Sequence, residues 1–427
     1  MYQVVVIGGG WAGCAAALQA AKSGARTVLL ERTDMLLGTG LVGGIMRNNG
    51  RYTAAEEMIA MGGGELFALC DANTRHFNVD FPGHRHASLY DIGKISGAVE
   101  KKLLEAGVDI FFRCRIEKAM MEGHRLTKVR SDKGEEFEGS VFVDASGSAG
   151  PMRNCTVHGN GCVMCIYRCP SFGGRVSVAG LAGVAERTGK RGDGKSGAMS
   201  GSCKLYKESL SREIQLELNE KGVVVIPIPK DLGWEVDLSL KACQQYTLED
   251  FHDNIILLDT GHAKLMSPYF PLHLLKKIPG FEHARYEDPY AGGIGNSIRF
   301  LALCPRDNTL KVEGVDNLFC AGEKAGLLVG HTEAICTGVL AGYNSSRYVK
   351  GQEGISLPVT TAVGDAIAFV KEQMETEEGL MKKFTFSGSV YFERMNEKGF
   401  YTTDKERIRE RVKAAGCEGL FDYMVFL

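Results

Sequence analysis

The stretch Val4-Val5-Val6-Ile7-Gly8-Gly9-Gly10-Trp11-Ala12-Gly13-Cys14, continued by Val28-Leu29-Leu30-Glu31-Arg32, decides the fold. It reads as strand, glycine turn, helix and second strand. Gly8-x-Gly10-x-x-Gly13 leaves an apolar run directly and opens into residues 15 to 22, a run of strong helix formers. Gly8 permits the sharp turn, Gly10 lets the backbone approach a pyrophosphate, and Gly13 lets helix and strand pack closely, with Ala12 between them at the helix start. The helix N-terminus then offers unpaired N–H groups and partial positive charge to phosphates. Glu31 closes the second strand, with Arg32 beside it, where a carboxylate accepts hydrogen bonds from an adenosine ribose. An acid there disfavours a 2′-phosphate, so FAD or NAD is expected rather than NADP.

The totals narrow the class. A chain of 427 residues is too long for one ordinary core. Its 44% hydrophobic and 24% charged content is that of a globular protein, and a net charge of -2 gives no global pull toward nucleic acid or anionic membrane. No apolar run is long enough to span a bilayer, and residues 1 to 10 read as a strand rather than a signal peptide, so a cytoplasmic location is expected. Thirteen cysteines in such a setting suggest metal or redox chemistry before structural disulfides.

Beyond Glu31, residues 37 to 50 are dense in glycine, Gly43 and Gly44 included, and read as a loop lying against something flat or anionic. Arg47 or Arg51 in this region is a candidate for meeting an anionic substrate. Helical periodicity over 54 to 70 breaks at Gly62-Gly63-Gly64. The polar stretch 73 to 86 carries His76, His84 and His86 without a metal-ligand spacing and reads as a solvated loop, one of whose histidines is a candidate for proton transfer, and 88 to 106 reads as an amphipathic helix. Hairpin-like strands lead to Val141-Phe142-Val143-Asp144-Ala145-Ser146-Gly147. Residues 173 to 201 read as a mobile loop, 205 to 222 as helix and 223 to 228 as strand. The α/β pattern resumes at Asn317-Leu318-Phe319-Cys320-Ala321-Gly322-Glu323, then Gly330-His331-Thr332-Glu333-Ala334, the start of a helix with small residues at Gly338, Ala341 and Gly342. The run 405 to 413 is a solvated helix face.

The blocks 8 to 31, 141 to 147 and 317 to 347 together resemble the FAD-dependent oxidoreductases of the glutathione reductase superfamily, and within it the branch of GidA and TrmFO, the flavoproteins of tRNA uridine modification. The resemblance implies an α/β fold with a Rossmann-like FAD-binding domain, a parallel sheet with a β-meander, formed by residues 1–150 and 291–352. It also implies an inserted α+β substrate domain at 151–290, leaving 353–427 as a C-terminal α+β tail or cap. The resemblance matches Gly8, Gly10 and Gly13 to the pyrophosphate glycines, Glu31 to the ribose carboxylate and Gly322 with Glu323 to the pair that holds the ribityl chain; Ala12, Arg32, Gly43, Gly44, Ala145, Gly147, Gly330, His331 and Thr332 beside them are the further candidates for binding FAD. Glu323 stands where the family has Asp. The helix from Thr332 would aim its N-terminus at the pyrimidine end of the isoalloxazine, where reduced flavin carries negative charge. One complete dinucleotide fingerprint leaves no separate NAD domain, so reducing equivalents come from the substrate, a transient NAD(P)H or an electron-donor protein.

Two features depart from a tRNA role. Residues 291 to 299 lack the His-Arg-Asn pattern of the folate-using branch, and residues 151 to 290 hold 17 Lys and Arg against 16 Asp and Glu. No phosphate-binding surface follows from composition.

Cys155-x6-Cys162-x2-Cys165-x3-Cys169-Pro170 puts four cysteines within fifteen residues, just after the strand that should end near the flavin. The end of this run echoes a ferredoxin motif and suggests a [4Fe-4S] cluster on Cys155, Cys162, Cys165 and Cys169. Four thiolates also suit Zn, and Cys162 with Cys165 suits a redox dithiol. The reading is a cytoplasmic FAD-dependent oxidoreductase of a small-molecule substrate, coupled to a cysteine-ligated centre, with His331, Cys162 and Cys165 as catalytic candidates. The alternatives are a folate- and FAD-dependent tRNA-modifying enzyme and an electron-transfer flavoprotein subunit of a complex.

Overall fold

The computed structural model describes residues 1–147, 171–192, 194–195, 198–199, 202–232, 248–267, 270–287, 298–299 and 301–426. Its central element is the strand Tyr2–Ile7, whose Val4, Val5 and Val6 are fully buried. A continuous apolar run of this kind is what a parallel strand covered on both faces requires. It pairs in parallel with Thr27–Leu30 (Val5 opposite Val28) and with Glu136–Asp144 (Val5 opposite Phe142). Asp109–Phe111 adds to the outer edge of Thr27–Leu30, and Leu318–Cys320 pairs with Phe142, Val143 and Asp144.

The strand Glu136–Asp144 serves two neighbours in succession. Its first residues pair antiparallel with Arg125–Ser131, which pairs with Ile116–Glu122 in a meander; its last residues complete the parallel part of the seven-stranded sheet. The expected α/β class with a Rossmann-like sheet is therefore the fold observed.

The helix Trp11–Lys22 covers this sheet and is buried along nearly its whole length. Against it packs His331–Val349, the longest helix among the described residues. Gly342 makes this possible: a Cβ there would stand 2.2 Å from the Ala16 carbonyl oxygen.

Three expectations for local structure fail. The stretch 73 to 86 is a hairpin, Thr74–Phe81 with His84–Tyr90, not a loop, and the helix expected from residue 88 begins at Ile95 and runs to Glu105. Apolar Ala87 and Leu89 alternate with Ser88 in a run that is buried through Tyr90, which suits a strand, and the turn at residues 91–94 separates it from the helix. The region 205 to 222 begins with the strand Cys203–Leu205, and its helix is Arg212–Lys221, capped by the Ser211 hydroxyl and closed by left-handed Gly222. The strand Asn254–Asp259 follows a single helical turn, Glu249–Asp253.

These pieces form a second sheet, Cys203–Leu205, Ala263–Leu265, Asn254–Asp259 and Val223–Pro227, antiparallel throughout and with a core of its own. A smaller apolar cluster, including Ala87, Leu89, Ile256 and Leu258, joins the hairpin to that sheet. Residues 353–427, expected to mix α and β, are helical: Ala362–Gln373, Glu377–Met381, Ser389–Glu397 and Lys405–Ala414, with only isolated bridges near Phe384. They share the main core, and Glu57 accepts hydrogen bonds from the N–H groups of Ala362 and Val363 at the start of the first. No helix among the described residues is long and apolar enough to cross a membrane.

Candidate functional site

The fingerprint residues meet at the C-terminal end of the parallel strands. Gly8 has φ +102°, and a Cβ on it would lie 2.4 Å from the Ala145 carbonyl oxygen. A Cβ on Gly13 would lie 1.7 Å from the Gly8 oxygen, so turn, helix and returning strand touch through backbone alone. A Cβ at Gly10, in contrast, meets nothing within 4 Å. Open space lies beside this residue, and the helix it starts has no side-chain cap. This is the arrangement an incoming pyrophosphate requires.

Glu31 is buried and already oriented. Its Oε2 accepts from Gly9 N–H at 2.7 Å, and its Oε1 accepts from Thr33 N–H and from the Thr33 hydroxyl, both at 2.8 Å. Arg32 next to it is half-buried, and Gly147 follows Ala145 with φ +77°.

The second helix N-terminus converges on the same place. Gly322 begins a short 3-10 turn through Ala325 that carries half-buried Glu323; its N–H donates to the Thr337 hydroxyl, and a Cβ on it would meet the Ala12 Cβ at 2.8 Å. Gly330 is the N-cap of His331–Val349 without a side-chain cap. Thr332, fully buried, turns its hydroxyl toward Met46 Sδ at 3.1 Å and leaves the helix start uncapped. His331 is the first helical residue, its ring against Gly43, where a Cβ would stand 1.6 Å from Cε1. Two uncapped helix starts, glycines where side chains would collide, and a pre-set acid at the strand end fit an FAD.

Sequence reasoning missed the residues that surround His331. Tyr90, fully buried at the end of the hairpin, lies 3.2 Å from His331 Nδ1. Lys264, on the second sheet, reaches across and donates to the carbonyls of Val42 (2.6 Å) and Gly43. Thr260 lies against Gly44, where a Cβ would stand 2.4 Å from its Cγ2. Only the alternation before Tyr90 signalled its position; nothing local marked Lys264.

A family model described as FAD dependent oxidoreductase matches residues 3–155, and one described as Glucose inhibited division protein A matches residues 260–353. The TrmFO enzymes of Bacillus mycoides and Bacillus cereus, named methylenetetrahydrofolate--tRNA-(uracil-5-)-methyltransferase, are 35% identical over 100 residues, 23% of this chain and 22% of theirs. The matched stretch thus spans about a fifth of those relatives. GidA of Aquifex aeolicus superposes over 97% of this chain and 76% of its own, with TM-score 0.65 and 16% identity, which shows a shared fold. Over residues 3–155 and 260–353 the chain is thus similar to FAD-dependent oxidoreductases and to the GidA/TrmFO flavoproteins, and it shares the fold of GidA.

Neither arginine of the glycine region is available as a simple substrate clamp. Arg47 pairs with Asp71 and Glu56, and Arg51 with Glu333, whose side chain is fully buried. The cysteines outside the cluster that the structure describes, from Cys14 to Cys417, are buried free thiols, and burial pushes Cys14 and Cys70 well above the ordinary thiol range. Cys155, Cys162, Cys165 and Cys169 lie outside the described residues. Among the described residues one group, Asp144, Glu186 and Cys304, brings three ligand atoms within 4.8 Å. Lys324 fills that position: its ammonium contacts Glu186 and donates to the Ser177 hydroxyl at 2.9 Å. The adjoining carboxylates outweigh its burial and raise its pKa, so the charge a metal would bring is already supplied.

Proposed function

We propose that this chain is an FAD-dependent enzyme that modifies a uridine base in tRNA. The observation that supports it is the position of the GidA model: residues 260–353 include Lys264, Gly322, Glu323, Gly330, His331 and Thr332, the side of the site facing the fingerprint. The names of the TrmFO relatives supply the substrate class, against the balanced charge count of the insertion. Composition averages over a surface and does not register a local track of phosphate contacts.

In this reading Gly8, Gly10, Ala12, Gly13 and Ala145 seat the pyrophosphate, Glu31 receives the adenosine ribose with Arg32 beside it, and Gly322 with Glu323 holds the ribityl chain. Gly43, Gly44 and Gly147 give backbone a close approach, and Gly330, His331 and Thr332 face the ring. An FAD bound there supplies two-electron transfer. His331 carries a proton to or from the reacting groups. Cys162 or Cys165 attacks the base, and NAD(P)H or a donor protein supplies reducing equivalents.

The test is to incubate the purified protein with unmodified tRNA transcript, carbon-labelled methylenetetrahydrofolate and NADPH, and to digest the RNA. Label in a modified uridine supports the reading. Flavin turnover with a small donor and no label in RNA overturns it.

The density of cysteines at 155 to 169 favours a second reading, a small-molecule oxidoreductase whose flavin exchanges electrons with a [4Fe-4S] or Zn centre on Cys155, Cys162, Cys165 and Cys169. Anaerobic protein without iron, sulfide or zinc would remove it.

A further inference from the structure

The hydrogen bonds around Tyr90 fix the direction of one proton. Its hydroxyl lies 2.6 Å from the Gly40 carbonyl oxygen, and because a carbonyl only accepts, the phenol proton is committed there. Burial pushes this phenol well above its ordinary range, so the proton stays on the oxygen. The oxygen therefore meets its other neighbours as an acceptor. Trp11 Nε1, a donor only, lies at 3.4 Å, and His331 Nδ1 at 3.2 Å.

We infer that Tyr90 is a positioning residue that holds His331 as its Nδ1–H tautomer, so that Nε2 carries the lone pair. Gly43 packs against the same imidazole, where a Cβ would overlap Cε1. The Tyr90 and His331 rings stand 6.2 Å apart, tilted by 59°. Trp11 meets Tyr90 edge-on at 5.8 Å and 84°. The three side chains come from the fingerprint helix, the hairpin and the return helix, elements far apart in the chain. The tautomer less favoured for imidazole in water is selected by an acceptor that has no proton left to offer.

The role of this lone pair in catalysis rests on the proton-carrying part assigned to His331 above; the tautomer does not. The experiment is a long-range proton–nitrogen NMR spectrum of the full chain labelled with nitrogen-15 histidine, above the pH at which imidazoles are protonated. The His331 signals are identified by their loss in His331→Gln. The expected spectrum shows a protonated Nδ1 and an unprotonated Nε2 in the wild type, with a shift toward the Nε2–H form in Tyr90→Phe. An Nε2–H pattern in the wild type overturns the inference without need of any Tyr90 variant. Trp11→Phe, which leaves the Tyr90–His331 bond in place, is expected to retain Nδ1–H. A switch there would mean that packing, not the hydroxyl, sets the tautomer, and would also overturn it. A failed tRNA assay leaves these readings untouched, so the two proposals fall separately.

Discussion

Gly338 lies directly on the Ala12 carbonyl: a Cβ at that glycine would stand 2.3 Å from the Ala12 oxygen and 2.8 Å from the Ala15 Cβ. The return helix and the fingerprint helix are thus in contact backbone to backbone, at the turn where the phosphates are proposed to bind. Gly338→Ala would gain about 1 kcal/mol of helix propensity. It would lose about 1–3 kcal/mol or more to overpacking, because the obstacle is backbone and cannot rotate away. The net expectation is a lower melting temperature and weaker flavin retention. A thermal melt and the visible absorbance of the purified variant check both.

Glu31 accepts from Gly9 N–H, Thr33 N–H and the Thr33 hydroxyl, so its replacement by Gln does more than remove a charge. The amide NH2 of Gln would face an N–H donor on one side or the other, leaving a buried donor unpaired at a cost of about 1–3 kcal/mol. Glu31→Gln is expected to lower stability without any ligand and to weaken FAD binding in addition. Calorimetric titration of flavin-stripped protein separates the two effects; wild-type affinity would remove Glu31 from the ribose role.

Lys383 supplies a pH test. Burial alone pushes its ammonium down to about 8, while the unfolded chain titrates near ~10.4. Between those values the unfolded state binds more protons, so this group makes stability rise with pH there, and its full penalty is present below pH 8. The ammonium donates to the Lys190 carbonyl at 2.8 Å, which offsets part of that penalty. Lys383→Met is expected to be as stable as the wild type or more so at pH 7, with the advantage shrinking toward pH 10. Urea melts of both proteins across this range give the difference directly, since other groups cancel; parallel pH slopes would contradict it.

The nucleotide-binding half of the fold was legible because its signals are local. Val4 to Ile7 must be buried on both faces, and Gly8, Gly10 and Gly13 fall at the spacing that a strand-to-helix turn requires. The hairpin ending at Tyr90 was misread because His76, Asn78, Asp80, His84 and His86 make it look like a loop. Yet His76 is partnered by Asp259 at 2.9 Å from a sheet nearly two hundred residues away. The same distance in sequence hides Lys264 from any reading that starts at Gly43. Arg47 and Arg51 illustrate the converse error, since the sequence showed two cations beside a glycine loop but not the carboxylates of Asp71, Glu56 and Glu333 that hold them.

Lys264 and Thr260 reach from the second sheet to Val42, Gly43 and Gly44, so the glycine loop is fastened to two separate cores. If the flavin ring lodges beside that loop, as proposed above, its departure is expected to require this seam to part. Its residence time would then follow how often the seam opens rather than how tightly the phosphates are gripped, so flavin exchange between protein and solution is expected to be slow even where equilibrium affinity is modest.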